Sequence, residues 1–154
     1  MNNKAHGHRL RSGRYSCAGQ IYLITMVTND RERIFLDLAP ARCVVRVLQQ
    51  EQRLQRAHTL AYVLMPDHLH WLMQLGEGLT LSRCVQGVKS MVSRQLGRPV
   101  WQDGFHDRAL RREDDLRAIA RYIVANPLRA QLVQEIGQYP HWDASWLQGD
   151  HALL

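Results

Sequence analysis

Two histidines one residue apart, His68-Leu69-His70, sit in a stretch that reads as a β-strand. Strand periodicity puts both imidazoles on one face, with Leu69 and Trp71 on the other. Neighbouring imidazoles on a rigid strand can hold one divalent metal ion from one side, leaving positions open for water and substrate. The spacing alone also fits two half-buried or exposed histidines. His6-Gly7-His8 repeats it in a glycine-linked N-terminal stretch that offers no rigid site, so that pair is assigned no function.

Tyr122 and Asn126 form a second constellation. At i and i+4 they are neighbours on the surface of a helix, on the flank of its Leu116/Ile119/Ile123 stripe. Such a tyrosine either packs amphipathically with its hydroxyl in water or acts as a nucleophile. Its ordinary pKa near 10 then demands a base or a nearby cation. A metal held by His68, His70 and the Asn126 side-chain oxygen would supply that field. Asn126 precedes Pro127, which disfavours helical geometry at Asn126, so the last turn must persist or kink suitably. Capping the helix end is the other use of Asn there.

The third feature, Trp101–Arg112 (WQDGFHDRALRR), interleaves aromatic and basic residues. Trp101 and Phe105 can stack on bases while Arg108, Arg111 and Arg112 pair with phosphates, or the two rings simply anchor a surface loop. His106 is a possible further metal ligand that nothing in its spacing demands. No Walker loop, GxSxG or HExxH is present. Cys17, Cys43 and Cys84 are odd in number and widely spaced, which reads as buried free thiols.

Elements that could position these residues follow from the pattern. Gln20–Asn29 reads as a strand and Ala39–Ala57 as a helix opened by Pro40. Thr59–Met65 and His68–Leu75 read as an antiparallel hairpin broken at Pro66-Asp67. Thr80 is expected to cap a helix running to about Leu96, followed by Gly97 and Pro99. Val100–Leu110 reads as irregular with a short strand, and Glu113–Ala125 is the clearest helix. The β-α-β-β-α-β order is ferredoxin-like, an α+β fold with an antiparallel sheet and a late helix carrying the tyrosine. Helices are expected to cover one sheet face and leave part of the other open. Trp142 and Trp146 in the tail should pack on the body.

A chain of 154 residues is long enough for one domain with its own core. Residues 1–16 read as a flexible basic arm bearing Arg9, Arg11 and Arg14, and 17–154 as a single domain. The longest apolar stretches, Leu60–Met65 and Leu69–Met73, fall well short of the roughly 20 residues of a membrane span. With no hydrophobic segment behind the basic N-terminus, the cytoplasm is the expected compartment. The net charge is +6, and 18 of the 20 basic residues are arginine. Arginine's fork suits phosphate and guanine, which points to nucleic acid, although a high-GC genome also favours Arg codons.

Taken together, these residues resemble the single-tyrosine HUH transposases (named for His-hydrophobic-His). Tyr62-Val-Leu-Met-Pro-Asp-His-Leu-His-Trp is similar to their histidine motif, and Arg121-Tyr-Ile-Val-Ala-Asn-Pro-Leu-Arg-Ala to their tyrosine helix. Leu10–Ser16, the Trp101–Arg111 block and Tyr139-Pro-His-Trp-Asp narrow the resemblance to the REP-associated tyrosine transposases, bacterial proteins tied to repetitive extragenic palindromes. The resemblance implies a ferredoxin-like fold and Mg²⁺ or Mn²⁺ on His68 and His70, with Asn126 as the amide ligand. It implies attack by Tyr122 on single-stranded DNA at palindromic hairpins, giving a 5′-phosphotyrosine and a free 3′-hydroxyl. Arginines, Arg129 of the tyrosine motif among them, would hold the flanks of the DNA. Monomers and helix-exchanging dimers both occur in such transposases. The competing expectations are a non-catalytic hairpin-binding regulator on the same fold and a metal-dependent hydrolase using water.

Overall fold

The computed structural model describes residues 18–111, 116–135 and 138–144. The expected basic arm with Arg9, Arg11 and Arg14 lies outside them, as do Cys17, Arg112 and Trp146. Strand β1 (Ile21–Val27) leads through two short 3-10 turns (Asn29–Arg31, Ile34–Leu36) to helix α1 (Leu38–Arg53). The hairpin β2 (Ala57–Met65) and β3 (His68–Leu75) follows, then α2 (Leu81–Leu96) and β4 (His106–Ala109). Helices α3 (Leu116–Val124) and α4 (Asn126–Arg129) precede β5 (Trp142–Ala144). The sheet order is β4-β1-β3-β2-β5, with every pairing antiparallel. The first four strands with α1 and α2 make the expected ferredoxin-like unit, and β5 adds a fifth strand beyond β2.

Alternation along β1 sorts the sheet into two faces. Tyr22, Ile24 and Met26 point to one side, where they join Leu69, Trp71 and Met73 of β3. Helices α1 and α2 close this face with Val44, Val47 and Leu48 and with Val85, Val88 and Val92. The other face gathers Ile21, Leu23, Ala61, Val63 and Leu72 under Ala120, Ile123 and Val124 of α3. β3 is therefore covered on both sides, which is why Trp71-Leu72-Met73 is a continuous buried run rather than an alternating one. The expectation of helices on one face alone is corrected here: α3 packs on the second face, over β2 and β5.

Local chemistry sets the ends of the elements. Thr80 caps α2 by accepting from the Arg83 N–H, and Gly97 ends it in the left-handed region at φ 70°. Gly76 closes β3 where a Cβ would stand 2.1 Å from the Gln55 carbonyl oxygen, so no larger residue fits. Trp101 is 7% exposed and packs its ring 5.4 Å from that of Phe35. It anchors the core and presents no open face for a base, which corrects its assignment as a stacking platform. Phe105 is half-buried against the same cluster. Cys43 and Cys84 are buried free thiols, as expected.

Candidate active site

The two-residue turn Pro66-Asp67 delivers His68 to the start of β3. The segment after β1 locks that turn. Thr28, fully buried, donates its N–H to the Asp67 carbonyl at 3.0 Å, and its hydroxyl sits between the Glu32 and Asp67 carbonyls at 2.7 and 3.1 Å. The Phe35 N–H bonds the Pro66 carbonyl at 3.0 Å. His68 and His70 then share the face of Leu72, which is the face that α3 covers. Their rings lie 4.8 Å apart, edge to face.

Each ring has one nitrogen engaged. His68 Nδ1 is 2.7 Å from Asp67 Oδ1, and Asp67 Oδ2 accepts from Arg31 Nε at 3.0 Å. Burial alone would raise the Asp67 pKa; the hydrogen bond and charge of His68, with Arg31, outweigh it and hold the carboxyl below its usual range. His70 Nδ1 lies 2.9 Å from Thr25 Oγ1, across the β1–β3 register. Burial, then the neighbouring His68 and the Arg129 charge, push the His70 pKa down to about 4. His70 is therefore neutral at physiological pH and keeps a lone pair. With both Nδ1 atoms tied up, the Nε2 atoms are the ones left for a ligand, and a carboxylate behind one ring is a common support for a metal-binding histidine.

Tyr122 projects from α3 with 65% of its surface open. The other described tyrosines are unsuited to attack. Tyr22 is fully buried. Tyr139 is buried with its hydroxyl donating to the Leu64 carbonyl, and burial, with Asp67, pushes its pKa up to about 12. Tyr62 is raised to about 12 by burial and by Asp143. The Arg129 guanidinium lies 3.8 Å from the centre of the Tyr122 ring. Its charge is also felt at His70, so one cation serves both the tyrosine and the histidine pair.

The helical path between them settles the tension at Pro127. The Ala125 N–H still bonds the Arg121 carbonyl, and Ala125 holds helical angles of −76° and 0°. The chain re-enters helix at Asn126, with Pro127 in the first turn, where its missing N–H costs nothing. Asn126 is half-buried, and its side chain makes no hydrogen bond among the described residues. Its amide is thus not spent on capping.

Arg108 and His106 lie on exposed positions of β4, whose register pairs them with Leu23 and Thr25. His106 stands two strands from His70, and no group of three or more His, Cys, Asp or Glu forms a metal cluster among the described residues. His106 therefore does not join the pair. Arg111 is exposed beyond β4.

Asp67, Arg31 and Thr25 went unread in the sequence, although Asp67 adjoins His68 and was a visible signal. Arg129 was read from the sequence only as a DNA-binding candidate; its seven-residue step from Tyr122, about two helical turns, also marks the shared face that the structure shows.

The profile of the family described as "Transposase IS200 like" matches residues 16–126 of this chain. The chain belongs to the IS200-like transposase family. A transposase is a DNA-cleaving and joining enzyme, and the match spans both the histidine pair and Tyr122. The chain is similar to the REP-associated tyrosine transposase of Escherichia coli, at 29% identity over 82 residues, 52% of this chain and 50% of that protein. It is also similar to a Haemophilus influenzae protein assigned to the same class, at 25% identity over 141 residues, 80% of this chain and 78% of that one. Among solved structures, a REP-associated tyrosine transposase bound to a REP hairpin superposes with a TM-score of 0.72 at 24% identity. That match covers 84% of this transposase and 79% of the other chain, and it shows the common fold. No helix among the described residues is long and apolar enough to cross a membrane.

Proposed function

We propose that this transposase cuts and rejoins single-stranded DNA at hairpins of repetitive palindromes, with Tyr122 as the nucleophile. The observation that carries the reading is the open Tyr122 ring under Arg129, whose charge also reaches the His68/His70 face. The phenol oxygen attacks the scissile phosphorus and gives its proton to solvent, which its exposure permits. The bond from phosphorus to the 3′ oxygen breaks, and that oxygen leaves as a hydroxyl. A 5′-phosphotyrosine remains, and attack by a 3′-hydroxyl reverses the step. The ester conserves the bond energy, so joining needs no nucleotide triphosphate. Arg129 is placed to neutralise charge on the phosphate or the phenolate.

The donor set fits Mg²⁺ or, better, Mn²⁺: two imidazoles with free Nε2 atoms and an uncommitted neutral amide oxygen on Asn126. Such an ion supplies charge neutralisation at the scissile phosphate. His68 and His70 would hold it with the Asn126 amide oxygen as third ligand, while Asp67 and Thr25 hydrogen-bond the two rings. The hairpin in the solved relative makes folded single-stranded DNA the expected partner. Mixing the protein with a labelled palindromic hairpin and Mn²⁺, then running a denaturing gel, tests the reading. A covalent protein–DNA band is expected. Binding without cutting would make the protein a regulator, and cutting without the band would make it a hydrolase.

Two variants probe the support around the nucleophile. Asp67→Ala frees the His68 ring and is expected to weaken Mn²⁺ binding by roughly 10- to 100-fold, read by electron paramagnetic resonance titration. Unchanged affinity would remove Asp67 from the site. Asn126→Ala is expected to lose most activity in Mg²⁺ and recover part of it at high Mn²⁺, which tolerates nitrogen ligands better. A lower melting temperature with an unshifted metal curve would reduce Asn126 to a structural residue.

A further inference from the structure

Helices α1 and α2 form a layer on the face of the sheet opposite His68 and His70, and their outer surface carries an unusual charge pattern. α2 contains no acidic residue. The single acid of α1, Glu51, is buried and held by Arg56 at 2.7 and 3.0 Å. The exposed side of α1 is lined by Arg42, Arg46, Gln49 and Arg53. At 100° per residue these four fall within a sector of about 60°, directly opposite the buried Val44, Val47, Leu48 and Glu51. Arg42, Arg46 and Arg53 make no ion pair or hydrogen bond among the described residues. Three other arginines are paired with carboxylates, Arg31 with Asp67, Arg56 with Glu51 and Arg98 with Glu32, which the three ridge arginines are not. A free cationic ridge on a helix without exposed carboxylates is poised for a polyanion.

Grooves flank the ridge on both sides. One of about 290 Å³ runs between α1 and α2, lined by Arg46, Gln50, Arg53 and Gln95. The other, of about 480 Å³, runs between α1 and β2, with Gln49, Gln52, His58 and Thr59 on its walls. Asp143 stands at the far wall of the second groove, where its carboxylate accepts from the Ala144 N–H at 2.7 Å. The glutamines add neutral donors suited to phosphate and sugar oxygens. Neither helix contains an aromatic residue, so there is no platform on which unpaired bases could stack. Single-strand binding relies on such platforms, whereas a duplex offers its backbone alone.

We infer that the Arg42–Arg46–Arg53 ridge is a second DNA site, one that grips the phosphate backbone of double-stranded DNA independently of the strand presented to Tyr122. The three guanidinium groups span about 17 Å along the helix, roughly half a turn of duplex. The contacts are to backbone, so binding is indifferent to sequence and steep in salt. The protein would thereby stay on duplex while its other face handles a single strand.

The test uses the full chain carrying Tyr122→Phe, so that no reading of the cleavage chemistry affects it. Anisotropy with a fluorescent duplex of about 20 base pairs gives Kd between about 50 and 200 mM salt. Arg42→Gln, Arg46→Gln and Arg53→Gln together are expected to reduce the log–log salt slope by about 2.7, or 0.9 per lost phosphate contact. The triple lysine variant is expected to keep the slope, and affinity for a short single strand is expected to stay unchanged. An unaltered duplex slope in the glutamine variant would overturn the inference. So would equal loss for the single strand, or a loss confined to an RNA duplex of the same sequence.

Discussion

Tyr122→Phe is expected to abolish the covalent adduct and slow strand cleavage by at least about a thousandfold, with hairpin affinity unchanged. The substitution deletes one oxygen from a ring that is 65% exposed, so it removes no core packing and no buried hydrogen bond. It leaves the Arg129 stack, which acts on the ring face. Affinity rests on phosphate contacts and shape, which the variant retains. The loss is large because nucleophile and phosphate positioning act as a unit, and neighbouring groups cannot substitute for the attacking atom. Tyr62→Phe and Tyr139→Phe serve as contrasts. Tyr139 spends its hydroxyl on Leu64, and both phenols are pushed up to about 12, so neither variant should lose the adduct. Gel quantification of adduct against time measures all three.

His70→Ala ranks next in size. It is expected to lower Mn²⁺ affinity and metal-dependent cleavage by roughly a hundredfold or more, and EDTA should silence the parent protein equally. His70 is neutral because burial, His68 and Arg129 all disfavour its proton, so it can offer a lone pair without competition at neutral pH. His68→Ala should behave alike and should also leave Asp67 facing Arg31 alone. His6→Ala with His8→Ala should leave the rate per bound substrate unchanged. Isothermal titration of Mn²⁺ into each variant separates lost binding from misfolding, and full affinity in His70→Ala would remove the metal from this face.

Much of this arrangement was legible from short-range pattern. His68–Leu75 was read to the residue because a Pro-Asp turn and Gly76 bracket an apolar run, and both signals are local. Thr80 and Gly97 marked α2 for the same reason. The histidine pair was legible because period two needs only its own strand. What stayed hidden depends on residues distant in sequence. Asp67 meets Arg31 across 36 positions, and Thr25 reaches His70 across 45. The Trp101 ring looked like a base-stacking surface because it sits among arginines, yet Phe35 claims it. The position of α3 on the second face follows from Ile123 and Val124 meeting Val63 and Leu72, a pairing that no window of sequence contains.

Mapping the adduct tests the central claim most directly. Trypsin cuts after Arg121 and Arg129, so the peptide Tyr122–Arg129 carries one tyrosine and no other hydroxyl side chain. After reaction with a hairpin and nuclease trimming, mass spectrometry should find this peptide heavier by a nucleotide monophosphate linked through phosphotyrosine. An adduct on a peptide containing Tyr15, Tyr62 or Tyr139, or cleavage that leaves every peptide unmodified, would contradict the account.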